Sequence, residues 1–279
     1  MTIVDDVLQC SSRLDLWAKL VGRMRSTSML ELGVWKGEFS AHILTQCPAI
    51  ERYYMLDPWR PLPSWNKPLN VSAAEFEKAL EAATDATSFA GDKVTILRGT
   101  AREVIGRIPD ESLDFAYIDG DHTLRGISID LINTYPKIKP GGFLGGDDFD
   151  RDIWQHGPDY EPTLVFPFAV YFAEAVGARI HGLPFGQFLI EKPLSSDDGY
   201  EFKDHARSYE NIGMASHFVA VPRPAGNLRR VARKVRAIFR SLFNAPGGGI
   251  LPEEAFLCSA ESQPARSTRS CAPSHSSSE

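Results

Sequence analysis

Apolar positions along the chain gather in short runs of strand length, and several of these runs stop abruptly at an acidic residue. LDFAYID (Leu113 to Asp119) is one such run, and GGFLGGDD (Gly141 to Asp148) is another. Between them Ile127, Leu131 and Ile132 recur at helical spacing, over a stretch long enough for a right-handed crossover, so the two runs read as neighbouring parallel strands. Upstream, Met29 to Leu32 forms a first strand, followed by a turn with Gly33 and Gly37 and a helix to about Cys47; RYYMLDPW gives a second strand ending in Asp57. Ser72 caps a helix to about Thr84, Lys93 to Gly99 is a third strand, and Thr100 to Arg107 opens the next helix. Thr163 to Val176 reads as a helix, and ARIHG with FGQFLIEKP as a closing antiparallel hairpin. Ahead of the sheet, Val7, Leu8, Leu14, Trp17, Leu20 and Val21 predict one or two packing helices within residues 1–27. Strands and helices alternating in this way make an α/β fold.

Neighbouring parallel strands end at one edge of their sheet, which is where open α/β sheets bind ligands. The pattern therefore brings Asp119 together with Asp147 and Asp148 at that edge, where three carboxylates repel unless a cation or shared protons neutralise them. A hard divalent ion, Mg²⁺ first, is the simplest resolution. Asp57, twenty-four positions after Gly33, stands where an acid accepts hydrogen bonds from the ribose hydroxyls of an adenosine ligand. The first turn lacks the GxGxxG spacing that seats a pyrophosphate, and its wider Gly33 to Gly37 interval favours S-adenosylmethionine over a nicotinamide. Thr100, Ala101 and Arg102 reach the same edge, where an adenine would lie, and Trp35 either walls this pocket or fills core. The Pro-rich stretch 58–70 is either a lid, with Trp59 or Trp65 stacking on a ligand ring, or a surface loop pinned by its aromatics. A second loop, 150–162, carries Trp154, His156 and Tyr160 and is placed to frame an acceptor.

Composition narrows the classes. With 279 residues, 43% hydrophobic, the chain can bury one large core or two smaller ones, expected as one catalytic domain plus appendages, and a formal charge of −6 gives it no electrostatic reason to coat nucleic acid. The four cysteines (Cys10, Cys47, Cys258, Cys271) are scattered and read as free thiols of a reducing compartment. The acidic N-terminal segment has no apolar signal region and no eighteen-residue apolar run occurs, so a cytoplasmic location is expected.

These residues together resemble a class I S-adenosylmethionine-dependent methyltransferase, and within that class the metal-dependent O-methyltransferases. LELGVWKGEFS is similar to the first donor-binding motif of the catechol and caffeoyl-CoA enzymes, while DGDHTLRG followed by KPGGFLGGDDF is closer to the macrocin and mycinamicin sugar O-methyltransferases. The resemblance spans Met29 to Lys192. It implies a Rossmann-like, mostly parallel seven-stranded sheet with helices on both faces and an antiparallel final strand. It implies Mg²⁺ held by Asp119, Asp147 and Asp148, and His122, three residues beyond the first ligand, as the general base. The donor site it implies takes in Glu31, Gly33, Trp35, Gly37, Asp57, Gly99, Thr100, Ala101 and Asp119. Two positions depart from the pattern: Asp121 precedes His122, and Ala101 stands where the catechol type usually has a polar residue near the adenine. The implied reaction is methyl transfer to a hydroxyl of a small molecule, a sugar of a natural product or cell-envelope glycan leading. The rivals are a metal-independent methyltransferase of the same fold and a non-catalytic adenosyl-ligand-binding scaffold.

Residues 28–193 are thus expected to form the methyltransferase domain, followed by an extension over 194–226. Residues 227–243 (NLRRVARKVRAIFRSLF) form an amphipathic helix with six basic residues and no acid. It is expected to pack on its own domain or on a second subunit in a homo-oligomer, or else to meet an anionic membrane surface or an acidic partner. The remainder, 244–279, Ser-rich from about Ala260 onward, is expected to be disordered.

Overall fold

Eight strands in the order β3-β2-β1-β4-β5-β7-β6-β8 make up a single sheet in the computed structural model. It describes residues 9–150, 152–157, 159–194 and 199–209; the helix expected over 227–243 and the tail 244–279 lie outside the described residues. β1 (Ser28–Leu32), β2 (Arg52–Asp57), β3 (Val94–Arg98), β4 (Leu113–Ile118) and β5 (Ile138–Gly146) are parallel neighbours in the doubly wound order 3-2-1-4-5. β7 (Gln187–Glu191) then runs antiparallel between β5 and β6 (Arg179–Leu183).

The sequence pattern predicts seven strands, and the eighth is a correction. β8 (Glu201–Asp204) lies in the supposed extension and pairs parallel to β6, Ile180 opposite Phe202. EFKD has one apolar residue and no alternation, so only the open edge of β6 makes it a strand. β5 also starts earlier than expected, at Ile138, because a register shift opposite Leu113 to Phe115 carries the ladder past Pro140.

The central strands β1 and β4 are buried on both faces, while the edge strand β3 is largely exposed, and the sheet's inward side chains divide between two cores. Leu30, Leu32, Leu56, Ala116 and Ile118 point to the face covered by α4 (Ala101–Val104), α5 (Leu124–Thr134) and α6 (Val165–Ala175). Met29, Tyr53, Met55, Phe115 and Tyr117 point to the other, covered by α1 (Arg13–Arg23), α2 (Glu38–Gln46) and α3 (Ala73–Thr87). Ser12 caps α1 by accepting from Asp15 N, and Ser72 with Glu75 forms a capping box on α3.

α1 matters beyond packing. Its Trp17, fully buried, lies against Gly145, where an added Cβ would come within 2.3 Å of the indole. Gly145, the first glycine of the second pair in GGFLGGDD, is therefore the slot into which α1 docks. No helix among the described residues is long and apolar enough to cross a membrane.

Candidate active site

Strand order reverses between β1 and β4, and a cavity of about 410 Å³ opens at their carboxyl ends. Glu31, Gly33, Trp35, Asp57, Thr100, Ala101, Asp119 and His122 line it. Gly37 and Gly99, also expected in the donor site, do not. Gly37 is the left-handed N-cap of α2, where a Cβ would strike Ala83 of α3 at 2.9 Å, and Gly99 packs on Val104.

Gly33 has φ +90°, and a Cβ there would lie 1.9 Å from the carbonyl oxygen of Asp119. That close approach of the two strand ends brings Asp119 into the wall of the donor cavity. Asp57, nearly buried, ties down the same turn: Val34 N and Trp35 N donate to Oδ2 at 2.9 and 3.0 Å, and Trp59 N to Oδ1 at 2.8 Å. Burial raises its pKa, against the lowering effect of those three donors. Trp59 is fully buried and donates from its indole to Trp35 O, so it cannot stack on a ligand; Trp65 reaches the cavity instead.

The Glu31 carboxyl turns away toward α2, where Ser40 and the Tyr53 hydroxyl (2.6 Å) donate to it. Burial, outweighing those two hydrogen bonds, pushes its pKa up to about 8. The folded protein therefore holds a proton that the unfolded chain releases near 4.5, so the stability Glu31 contributes falls as pH rises from about 4.5 to 8. Glu31→Gln should abolish that slope: the melting temperature of the variant relative to wild type is expected to rise steadily from pH 5 to pH 8 and then level. A difference independent of pH would reject the assignment.

Asp119, at the end of β4, and Asp147 and Asp148, just past β5, meet at this edge as the pattern predicted, and His122 stands between Asp119 and Asp148. Its Nδ1 pairs with Asp148, while Nε2 lies 3.3 Å from Asp119 Oδ1 and is buried without an aligned hydrogen bond. Burial alone would lower the His122 pKa, but the two carboxylates raise it to about 10. Ligand atoms of Asp119, His122 and Asp148 lie within 4.8 Å of one another. Asp148 adopts φ +57°, a left-handed conformation that aspartate tolerates better than most other non-glycine residues.

Asp147 faces a different set of partners. It accepts from the Arg13 guanidinium, from Gln187 Nε2 at 2.5 Å and from Asp148 N at 2.8 Å. Burial, with Asp119 and Asp148 beside it, raises its pKa to about 6. Arg13 also donates to Asp119 at 3.1 Å, so one side chain of α1 bridges two of the three aspartates. Fully buried Gln187 completes the support, its Oε1 accepting from Trp17 Nε1 at 2.7 Å and from the Tyr117 hydroxyl at 3.1 Å. Sequence reasoning missed Arg13 and Gln187, which lie 134 and 40 positions from Asp147 and carry no local signal.

Asp121 shapes the turn that starts α5, accepting from Thr123 N at 3.0 Å and packing on Gly126. The loop 58–70 is stitched in place. Asn70 bonds Leu62 and Trp65, Asn66 bonds Asp159 and Glu161, and Arg125 donates to Ser64 O. Lys67 and His156, from this loop and from 150–162, complete the cavity wall.

The model of a methyltransferase domain family matches residues 30–149, the stretch from β1 to the end of the acidic cluster. None of the curated proteins matches the sequence. Among solved structures, a putative caffeoyl-CoA O-methyltransferase from Staphylococcus aureus is similar at 15% identity and TM-score 0.49, over 67% of this chain and 87% of that one. An O-methyltransferase from Bacillus cereus in complex with SAH is similar at 16% identity and TM-score 0.46, over 68% and 90%. An SAH-bound methyltransferase from Podospora anserina stands at 17% and 0.46, over 67% and 82%. Likeness this low carries no chemistry across, and the assignment rests on the domain match and on the strand order around the cavity. Residues 30–149 thus match a methyltransferase domain model and fold with the doubly wound strand order around the cavity.

Proposed function

We propose that the protein is a divalent-cation-dependent O-methyltransferase acting on a hydroxyl of a small molecule. The observation that carries the reading is the placement of His122 between Asp119 and Asp148 at the wall of the donor cavity. S-adenosylmethionine fits the site: the cavity is of ligand size, and Asp57, Thr100 and Ala101 line it beside the glycine turn. A hard cation fits the second half, where carboxylate oxygens of Asp119 and Asp148 converge.

Asp119, Asp147 and Asp148 would hold the cation, which when bound supplies Lewis-acid polarisation of the acceptor hydroxyl. With Asp119 and Asp148 engaged in holding the cation, they would no longer keep the His122 ring protonated, and the neutral imidazole would take the hydroxyl proton as the methyl group leaves the sulfonium for the acceptor oxygen. Asp148 and Asp119 fix the ring from either side. Trp65 and the loop 58–70 shield the reacting atoms from water, and Asp57 keeps the glycine turn in the shape that receives the donor.

Calorimetry tests this without knowledge of the acceptor. S-adenosylhomocysteine is expected to bind the protein, and Mg²⁺ titrated into that complex is expected to give a saturable heat. Failure of the first removes the methyltransferase reading; donor binding without the second favours the metal-independent rival.

A further inference from the structure

Lys67 is a buried cation without a counter-ion. Its side chain is on a residue only 6% exposed, and its ammonium donates to Thr163 Oγ1 at 3.0 Å. Among the described residues no carboxylate lies within ion-pair distance of it. The nearest acids are engaged elsewhere: Glu161 accepts from Asn66 N at 2.9 Å, Asp121 accepts from Thr123 N at 3.0 Å, and Asp148 is paired with His122. An ammonium has three donors, and burying one unpaired is costly. Burial accordingly lowers the Lys67 pKa, although Asp148, Asp121 and Glu161 pull the other way from a distance.

Two further observations point to a ligand. The indole N–H of Trp65, two residues away, is buried without a partner, and its side chain lines the same cavity. Both groups are donors only, so what satisfies them must be an acceptor. The loop that carries them is held by side-chain bonds at Asn66 and Asn70, so their positions are set before anything binds. His156, on the same wall, is held below its ordinary pKa by burial and by Lys67.

From this we infer that the methyl acceptor carries a carboxylate, received by Lys67 and Trp65, with its reacting hydroxyl turned toward His122. One cation and one neutral donor match a monoanion better than a phosphate dianion. The inference rests on the methyltransferase reading for the identity of the ligand as acceptor, but the anion site can be tested alone.

The probes are two acid and amide pairs, 3,4-dihydroxybenzoate with 3,4-dihydroxybenzamide and glucuronate with glucuronamide. Each is titrated into wild type, Lys67→Met and Lys67→Arg, with and without S-adenosylhomocysteine. In at least one pair the acid is expected to bind wild type about tenfold or more tighter than its amide. That preference should vanish in Lys67→Met and survive in part in Lys67→Arg. Equal binding of acid and amide, no binding by any probe at millimolar concentration, or a preference retained in Lys67→Met overturns the inference. So does glucose 6-phosphate binding more tightly than glucuronate. Wild type failing to bind S-adenosylhomocysteine would instead defeat the methyltransferase reading, while the acid and amide comparison still decides the anion site.

Discussion

Replacing His122 with alanine is expected to lower methyl-transfer turnover by about 10²–10⁴-fold, the range for a positioned general base, with S-adenosylhomocysteine affinity left near that of wild type. The expectation follows from placement: the ring is clamped by Asp148 at Nδ1 and faces Asp119 at 3.3 Å through Nε2. An unchanged rate would reject the role. The same variant has a signature that needs no acceptor. In metal-free protein the two carboxylates raise the imidazole to about 10, against the opposing effect of burial. A folded-state pKa above the unfolded 6.5 contributes stability fully present below pH 6.5 and lost as pH rises through about 10. After chelation of divalent ions, wild type should therefore lose melting temperature relative to His122→Ala between pH 7 and pH 10. A parallel pair of curves would show that His122 is not the cation of the cluster.

What the sequence could disclose of this arrangement depended on whether the signal was local. Asp119, Asp147 and Asp148 end apolar runs, and the rule that parallel strands finish at one edge is enough to gather them. His122 follows by three positions. Asp57 was legible at the tip of β2, although in the structure its oxygens first serve three backbone amides of the turns around it. Gly37 matched a donor-site spacing but answers to the packing of α2 against α3, a requirement that leaves the same trace in the sequence. Trp59 and Trp65 were interchangeable on paper, and only burial separates the structural ring from the one at the cavity. β8 was hidden because its strand character comes from the edge of β6. Arg13 and Gln187 were hidden for a related reason: a polar residue at the start of an amphipathic helix, or in a closing hairpin, is ordinary until the sheet brings it to Asp147.

Asp147→Asn is expected to weaken Mg²⁺ binding to the S-adenosylhomocysteine complex by more than the about 10–100-fold typical of losing a group that only orients a metal ligand, and Asp119→Asn by a similar factor. The two are matched because one cation needs both carboxylates, yet in the structure both are spanned by Arg13. If the cation binds as proposed, Arg13 competes with it. It sits on α1, is partly exposed, and can withdraw without disturbing Trp17, whose indole is fixed in the slot at Gly145 and bonded to Gln187. Arg13→Met should accordingly raise Mg²⁺ affinity, on the order of tenfold for removal of one nearby positive charge, while lowering the melting temperature of the metal-free protein. Gln187 would still donate to Asp147 Oδ1 and hold the carboxylate toward the site. If Asp147 only anchors Arg13, the results separate cleanly: Asp147→Asn would then tighten Mg²⁺ binding as Arg13→Met does, leaving Asp119 and Asp148 as the carboxylate ligands. Opposite signs for the two variants establish Asp147 as a ligand and α1 as the element that neutralises the site before the ion arrives.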